Sequence, residues 1–128
     1  MTKVFNDVIY KSDEAAQRAC VKWQKILRLS DWGVNVSIVR ASTMSDHTAG
    51  GNNYNLQRKQ SMISLLDPAD FDVQFVGAFP QDHEQALVHE LLHLHTAWWP
   101  SKEDTTERDL EEQMINMLSD AFVELVRR

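Results

Sequence analysis

The segment Ala86-Leu-Val-His-Glu-Leu-Leu-His-Leu-His95 places two histidines four residues apart in an otherwise mostly apolar stretch. In a helix, His89 and His93 lie on one face, and their rings can converge on one ion. Glu90 is turned about a quarter of the circumference from His89, which puts a carboxylate beside that ion. Because unpaired ionisable groups in a buried helix are costly, the segment predicts a buried helix that carries a metal site.

The pattern is typical of a zinc site at which water is activated for hydrolysis. Zinc with three protein ligands lowers the pKa of its bound water to about 7, and a neighbouring glutamate can take the proton as a carbonyl group is attacked. Two histidines supply only two ligands. No histidine follows His95, so the third ligand is sought among the acidic residues of the last helix, which are Glu107, Asp109, Glu111 and Glu112.

Two glutamates remain candidates for the third ligand. A turn at Pro100 and an antiparallel return would bring residues 108–115 beside His93. Helical phase favours Glu111, which falls within the apolar stripe of Leu110, Met114, Leu118 and Leu125. Chemistry favours Glu112, because Asn116 follows one turn later and could support a ligating histidine through a hydrogen bond. The residues alone leave both open.

Periodicity predicts three helices and three strands. The helices are expected at residues 12–29, from Pro80 and Asp82 to about Trp98, and from about Asp104 almost to Arg128. Asp82 with Gln85, and Asp104 with Glu107, have capping-box spacing. Strands are expected at residues 34–39, 54–57 and 61–66, with a polar loop at 41–53 and an irregular stretch at 69–79. This order predicts one α+β domain over residues 1–128, with a small sheet backed by helices.

Composition restricts the class of protein further. The chain has 128 residues and a net charge of -6, which argues against nucleic-acid binding because phosphate contacts need clustered basic residues. No apolar run approaches the length of a membrane span. The single Cys20 cannot form an intrachain disulfide and is expected to be a buried thiol in a reducing compartment. We therefore expect a cytoplasmic protein with no membrane or nucleic-acid partner.

The segments Leu87-Val-His-Glu-Leu-Leu-His-Leu-His95 and Glu112-Gln-Met-Ile-Asn116 together resemble the gluzincin class of zinc metallopeptidases. In that class HExxH is followed, on a second helix, by a glutamate ligand with Asp or Asn four residues further on. The small size and order of elements are similar to minimal gluzincins and to ImmA/IrrE-type peptidases of phage and bacterial regulation. The segment Trp23-Gln-Lys-Ile-Leu-Arg-Leu-Ser-Asp-Trp32 and the strand after it also look like short phage- and prophage-encoded proteins. Motif-level likeness is limited to the first two segments.

The resemblance implies a zincin-like fold and a zinc-dependent hydrolase that cleaves a peptide or protein substrate. It makes His89, His93 and Glu112 the ligands of Zn²⁺, Glu90 the general base, and Asn116 a hydrogen-bond partner of a ligating histidine. Thermolysin-like members have Asp at the position of Asn116, and a neutral amide polarises its histidine less strongly. The SprT-like class matches less well, because its third ligand is a histidine after the motif.

The alternative function is a non-catalytic, zinc-stabilised regulatory or interaction domain with a peptidase-like frame. Glu90 argues against it, since a purely structural zinc site needs no base. A metal-free helical packing domain is a third hypothesis, and metal analysis of the purified protein would distinguish it from the other two.

Several further side chains have expected places around the site. A peptidase needs a donor for the oxyanion, and His47 and Tyr54 are the candidates. His83 is expected to be exposed, and His95 to point away from the metal face. The strand at residues 61–66 or its neighbour is a candidate edge for a substrate that binds as an added strand.

Overall fold

The computed structural model describes residues 8–44, 48–75 and 80–128, which form four α-helices and one three-stranded sheet. The helices are α1 (Asp13–Ile26), α2 (Pro68–Phe75), α3 (His83–His95) and α4 (Thr106–Arg127). The strands are β1 (Gly33–Val39), β2 (Gly50–Asn55) and β3 (Gln60–Leu66). This architecture confirms the predicted mixture of helices with a small sheet. None of the described helices is long and apolar enough to cross a membrane.

The sheet has β3 in the centre, parallel to β1 and antiparallel to β2. The predicted strand at residues 61–66 is therefore paired on both sides, which excludes it as an edge and leaves its neighbours for that role. The strand predicted at residues 54–57 is misplaced, because β2 begins at Gly50 and ends at Asn55. Its glycines and asparagines have low strand propensity, so pairing with β3 rather than local preference makes this segment a strand.

Side-chain caps fix where the helices begin. Ser12 accepts a hydrogen bond from the Ala15 N–H at 3.1 Å, and Asp82 accepts one from the Gln85 N–H at 3.0 Å. The cap of α4 is Thr105, not the predicted Asp104, which has a left-handed backbone with φ of 59°. Helix α3 ends at His95, three residues before the predicted end, and the Thr96 N–H bonds back to the His93 carbonyl.

Helix α2 corrects the prediction of an irregular stretch at residues 69–79. Pro68 occupies the first helical position, where its missing N–H costs nothing, and Asp67 accepts a hydrogen bond from the Ala69 N–H. Asp70 then binds the Arg40 guanidinium at 2.7 and 2.9 Å, which ties α2 to the end of β1. The remainder of the stretch, residues 76–79, lies outside the described residues.

The core lies between the sheet, α1, α3 and the inner side of α4. Cys20 is wholly buried in α1, as predicted. On α4 the buried residues are Glu111, Ile115, Ser119 and Val123. The stripe of Leu110, Met114, Leu118 and Leu125 is therefore not the core face, and three of those four side chains are exposed. The core consists mainly of Trp23, Val34, Val36, Ile63, Leu65, Leu87, Val88 and Leu91.

His83 is buried, which corrects the expectation that it is exposed. Its Nδ1 accepts a hydrogen bond from the Tyr10 N–H at 3.0 Å, so the proton is on Nε2, which donates to the Leu66 carbonyl at 2.8 Å. Burial lowers the pKa of His83 and favours this neutral form. The imidazole thus joins the start of α3 to the end of β3.

Strand β2 is attached to α3 through Asn52. The Asn52 amide donates to the Glu90 carbonyl at 2.8 Å and accepts from the Ser61 hydroxyl at 2.5 Å. Because Ser61 belongs to the central strand, one side chain connects β2, β3 and the middle of α3.

Asn52→Ala should lower the free energy of unfolding by about 1–2 kcal/mol, because it leaves polar groups of Glu90 and Ser61 without their partner. Asn53→Ala, the same change at the exposed neighbouring residue, is the control and should lower the free energy of unfolding by less than about 0.5 kcal/mol. Urea unfolding monitored by circular dichroism measures both. Equal losses in the two variants would contradict the role given to Asn52.

Candidate metal centre

Helices α3 and α4 bring together two imidazoles and one carboxylate. His89 and His93 lie one turn apart on α3, with their Nε2 atoms 3.3 Å from each other. Glu112, in the second turn of α4, has Oε1 2.9 Å from His93 Nε2 and Oε2 3.3 Å from His89 Nε2. The three residues each offer a ligand atom within 4.8 Å of the others. They are the three residues that the gluzincin resemblance predicts as ligands.

The spacing of these atoms fits a tetrahedral ion. Ligands about 2.0–2.2 Å from a tetrahedral zinc lie roughly 3.3–3.6 Å apart, which is close to the observed 2.9–3.3 Å. Imidazole nitrogen and carboxylate oxygen are both donors that zinc accepts. The Glu112 side chain is 40% exposed, against 17% and 13% for His89 and His93, so the cluster opens to solvent on the Glu112 side.

Glu111 has a different place from Glu112. Its carboxylate lies 3.4 Å from His93 Nδ1, the ring nitrogen that faces away from the cluster. It also accepts hydrogen bonds from the hydroxyls of Thr96, at 2.8 Å, and Ser101. With a side chain only 3% exposed, Glu111 is a buried support for His93. Helical phase favoured Glu111 through the stripe of Leu110, Met114, Leu118 and Leu125, but that stripe is not the buried face of α4. The carboxylate beside both Nε2 atoms belongs to Glu112.

The charges around His93 favour a cation at the cluster. Hydrogen bonds with His89 and His93 hold the pKa of Glu112 well below its usual range. Burial alone would lower the pKa of His93, but Glu112, Glu90 and Glu111 outweigh burial and raise it. Three carboxylates therefore surround one imidazole, and positive charge there is stabilised.

Glu90 lies beside the cluster rather than within it. Burial raises the pKa of its carboxyl group, although His89 and His93 oppose that effect. Gly50 of β2 leaves room for this side chain, since a Cβ at Gly50 would lie 3.4 Å from Glu90 Cγ and 3.5 Å from Oε2. A carboxylate with a raised pKa next to a candidate metal site is suited to accept a proton.

The cluster opens into a pocket of about 360 Å³ between β2, α3 and α4. Asn116 lines this pocket and is exposed, and in the described part of the chain no hydrogen bond joins its side chain to either histidine. Its predicted support of a ligand stays a prediction. The residues around the pocket are Thr48, Ala49, Gly50, Gln85, Ala86, His89, Glu90, His93, Glu112 and Asn116.

The other candidate residues lie apart from the cluster or outside the described residues. Tyr54 is half-exposed, does not line the pocket and contacts Trp32 edge-on at 6.4 Å between ring centroids. His47, the second candidate donor for an oxyanion, lies outside the described residues. His95 points away from the cluster, as expected, and its Nε2 lies 2.7 Å from the Leu27 carbonyl at the end of α1.

Sequence reasoning missed the hydroxyl groups that support Glu111. Thr96 and Ser101 follow the HExxH segment, where the prediction placed the end of a helix and a turn. A threonine and a serine between two helices are also common as solvated turn residues, so their type alone carries no signal. Only the pairing of both with one buried carboxylate reveals their role.

Comparison with known proteins identifies no relative of this chain. No family model, curated protein or solved structure matches this chain. The likeness to gluzincins therefore depends on the quoted residues, and the geometry of the cluster is the independent support for a metal site.

His89→Ala should abolish stoichiometric zinc binding, because one of three closely spaced ligands is lost. The unaltered protein should retain one zinc per chain after dialysis, as measured by elemental analysis. His95→Gln, which removes a histidine of the same helix outside the cluster, should also retain one. Stoichiometric zinc in His89→Ala would rule out this site.

Glu111→Gln should weaken zinc binding by about 10–100-fold, because the His93 ring loses the carboxylate that orients and polarises it. Competition with a zinc chelator measures the affinity. Asp109→Asn removes one negative charge from an exposed position on the same helix and should change the affinity by less than about threefold. Similar losses of zinc affinity in both variants would show that Glu111 acts only through its negative charge and not through its contact with His93.

Proposed function

We propose that this chain is a small zinc-dependent peptidase with a zincin-like arrangement, in which His89, His93 and Glu112 hold the ion and Glu90 is the general base. The observation that carries the proposal is that one pocket holds both a set of candidate metal ligands and a separate candidate base. Three side chains form a ligand cluster, and a fourth, Glu90, lines the same pocket but is not part of the cluster. A purely structural zinc site has no need of that fourth group.

A zinc ion in this cluster would polarise a substrate carbonyl group and lower the pKa of water at its open position to about 7. Glu90 would accept the proton from that water and later deliver it to the leaving amine. Burial raises the pKa of Glu90, which makes its carboxylate a better proton acceptor than an exposed one and so suits the first transfer. Glu111 would hold the His93 ring in one orientation while these steps occur.

The position of β2 supports a peptide as the substrate. β2 is an edge strand, and its first residue, Gly50, lies both in the sheet and at the wall of the pocket. An extended peptide can bind by adding itself to such an edge through backbone hydrogen bonds. Gly50 and Gly51 have no side chains to keep a peptide backbone away from the candidate metal site.

Glu90→Gln separates this proposal from a non-catalytic zinc-binding domain. The variant keeps the shape of the side chain and should still bind one zinc, but peptide cleavage should fall by about 10²–10⁴-fold because the base is lost. The assay is mass spectrometry of a complex peptide library incubated with the zinc-loaded protein. Glu103→Gln, the same change at an exposed site, should cleave at the unaltered rate.

Two results would contradict the proposal. Cleavage by Glu90→Gln at the unaltered rate would exclude Glu90 as the base. A fully zinc-loaded protein that cleaves no peptide of the library would favour the regulatory or interaction domain instead.

A further inference from the structure

Helix α4 has a second apolar face that is largely exposed and that touches the core through Met114. The exposed fractions are 60% for Leu110, 64% for Met117, 38% for Leu118 and 59% for Leu125. Ala121 is also exposed, and Met114 is half-buried. These positions recur at spacings of three and four, so they form one continuous stripe along the helix. We call this stripe, made of Leu110, Met114, Met117, Leu118, Ala121 and Leu125, the outer face of α4.

Apolar grooves extend the outer face on both sides of Met114. The first, of about 400 Å³, lies between Met114, Leu110 and Trp99. The second, of about 370 Å³, lies between Met114, Leu118 and Ile26, and Ile26 is itself 41% exposed. A contiguous exposed apolar surface of this kind marks an interaction site in soluble proteins.

The sequence of the outer face is self-complementary. The midpoint of the face lies between Met117 and Leu118. Leu110 and Leu125 lie at equal distances on either side of this midpoint, and so do Met114 and Ala121. Two α4 helices that pack antiparallel about this midpoint would therefore place Leu110 against Leu125. They would also place the long Met114 against the short Ala121, so that large and small side chains interdigitate.

The charges at the ends of the face follow the same symmetry. Glu107 and Arg128 are exposed, equidistant from the midpoint, and in phase with the outer face. Antiparallel packing brings each Glu107 beside an Arg128 of the other chain, whereas parallel packing brings like charges together. Arg128 forms an exposed ion pair with Glu124 at 3.3 Å. Exposed ion pairs of this kind contribute little to stability, so Arg128 can readily exchange Glu124 for Glu107 of the other chain.

We propose that a second copy of this chain covers the outer face, with the two α4 helices antiparallel about a two-fold axis between Met117 and Leu118. Such an interface is isologous, because each chain contributes the same face. Leu125 of one chain then packs beside Leu110 and the groove next to Trp99 of the other. The candidate metal centre stays accessible, because Glu112 lies on a different side of α4, towards α3.

Met117→Glu tests the interface at its centre. Sedimentation velocity from about 1 to 300 µM should show the unaltered protein shifting from monomer to dimer, whereas two carboxylates buried near the axis should raise the dissociation constant at least tenfold. Val21→Glu makes a comparable change at a side chain of α1 that is 45% exposed, and it should dimerise normally. Both sites are exposed in one chain, so circular dichroism should show unchanged folding.

A charge exchange tests the direction of packing. Glu107→Arg and Arg128→Glu should each raise the dissociation constant about two- to fivefold at low salt, and the double variant should restore it. A protein that stays monomeric throughout the concentration range would overturn the proposal. A dimer that Met117→Glu leaves intact would overturn it as well, and a double variant no tighter than the single ones would exclude antiparallel packing.

Discussion

The hydrogen bonding of one buried carboxylate, Glu111, holds the start of α4 against the end of α3. A buried carboxylate must be satisfied by donors, and here the Thr96 and Ser101 hydroxyls donate to it. The His93 ring and the Arg108 guanidinium lie 3.4 and 3.5 Å from the same carboxylate. These contacts join the end of α3, the connection and the second turn of α4. Further along the helix pair, Gln85 of α3 donates to Ser119 and Asp120 of α4 at 3.1 Å, so the two sets of contacts together fix the rotation of α4 about its axis. With Glu111 turned inward, the next residue, Glu112, faces both imidazoles. The candidate metal centre, the pocket and the outward direction of the second apolar face all follow from that rotation.

Most of the fold follows from periodicity, and the errors occur where tertiary contacts outweigh local pattern. Helices α1 and α3 and strands β1 and β3 have clear apolar spacing, and the structure has them close to their predicted places. β2 consists of glycine and asparagine except for Tyr54, and it is a strand because β3 pairs with it and Asn52 binds α3. His83 resembled an exposed first-turn residue, but Tyr10, far away in the sequence, supplies its partner.

The site was predictable in its residue types and not in its details. HExxH on a helix requires the two histidines to lie together, and that spacing is local. The choice between Glu111 and Glu112 depends on the rotation of a second helix, and for that rotation the apolar stripe and the spacing of Glu112 and Asn116 favoured different residues. The phase argument for Glu111 depended on the stripe of Leu110, Met114, Leu118 and Leu125, and most of that stripe faces outward. A helix with two apolar faces has no single phase that a sequence pattern can reveal.

X-ray absorption spectroscopy at the zinc edge of the zinc-loaded protein would identify the atoms that bind the ion. The ligand set of His89, His93 and Glu112 predicts scattering from two imidazoles at about 2.0–2.1 Å and from oxygen at about 2.0–2.2 Å. It also predicts no sulfur shell at about 2.3 Å, because Cys20 is wholly buried in α1. A spectrum with a sulfur shell, or with fewer than two imidazoles, would show that the ion is not bound by His89, His93 and Glu112.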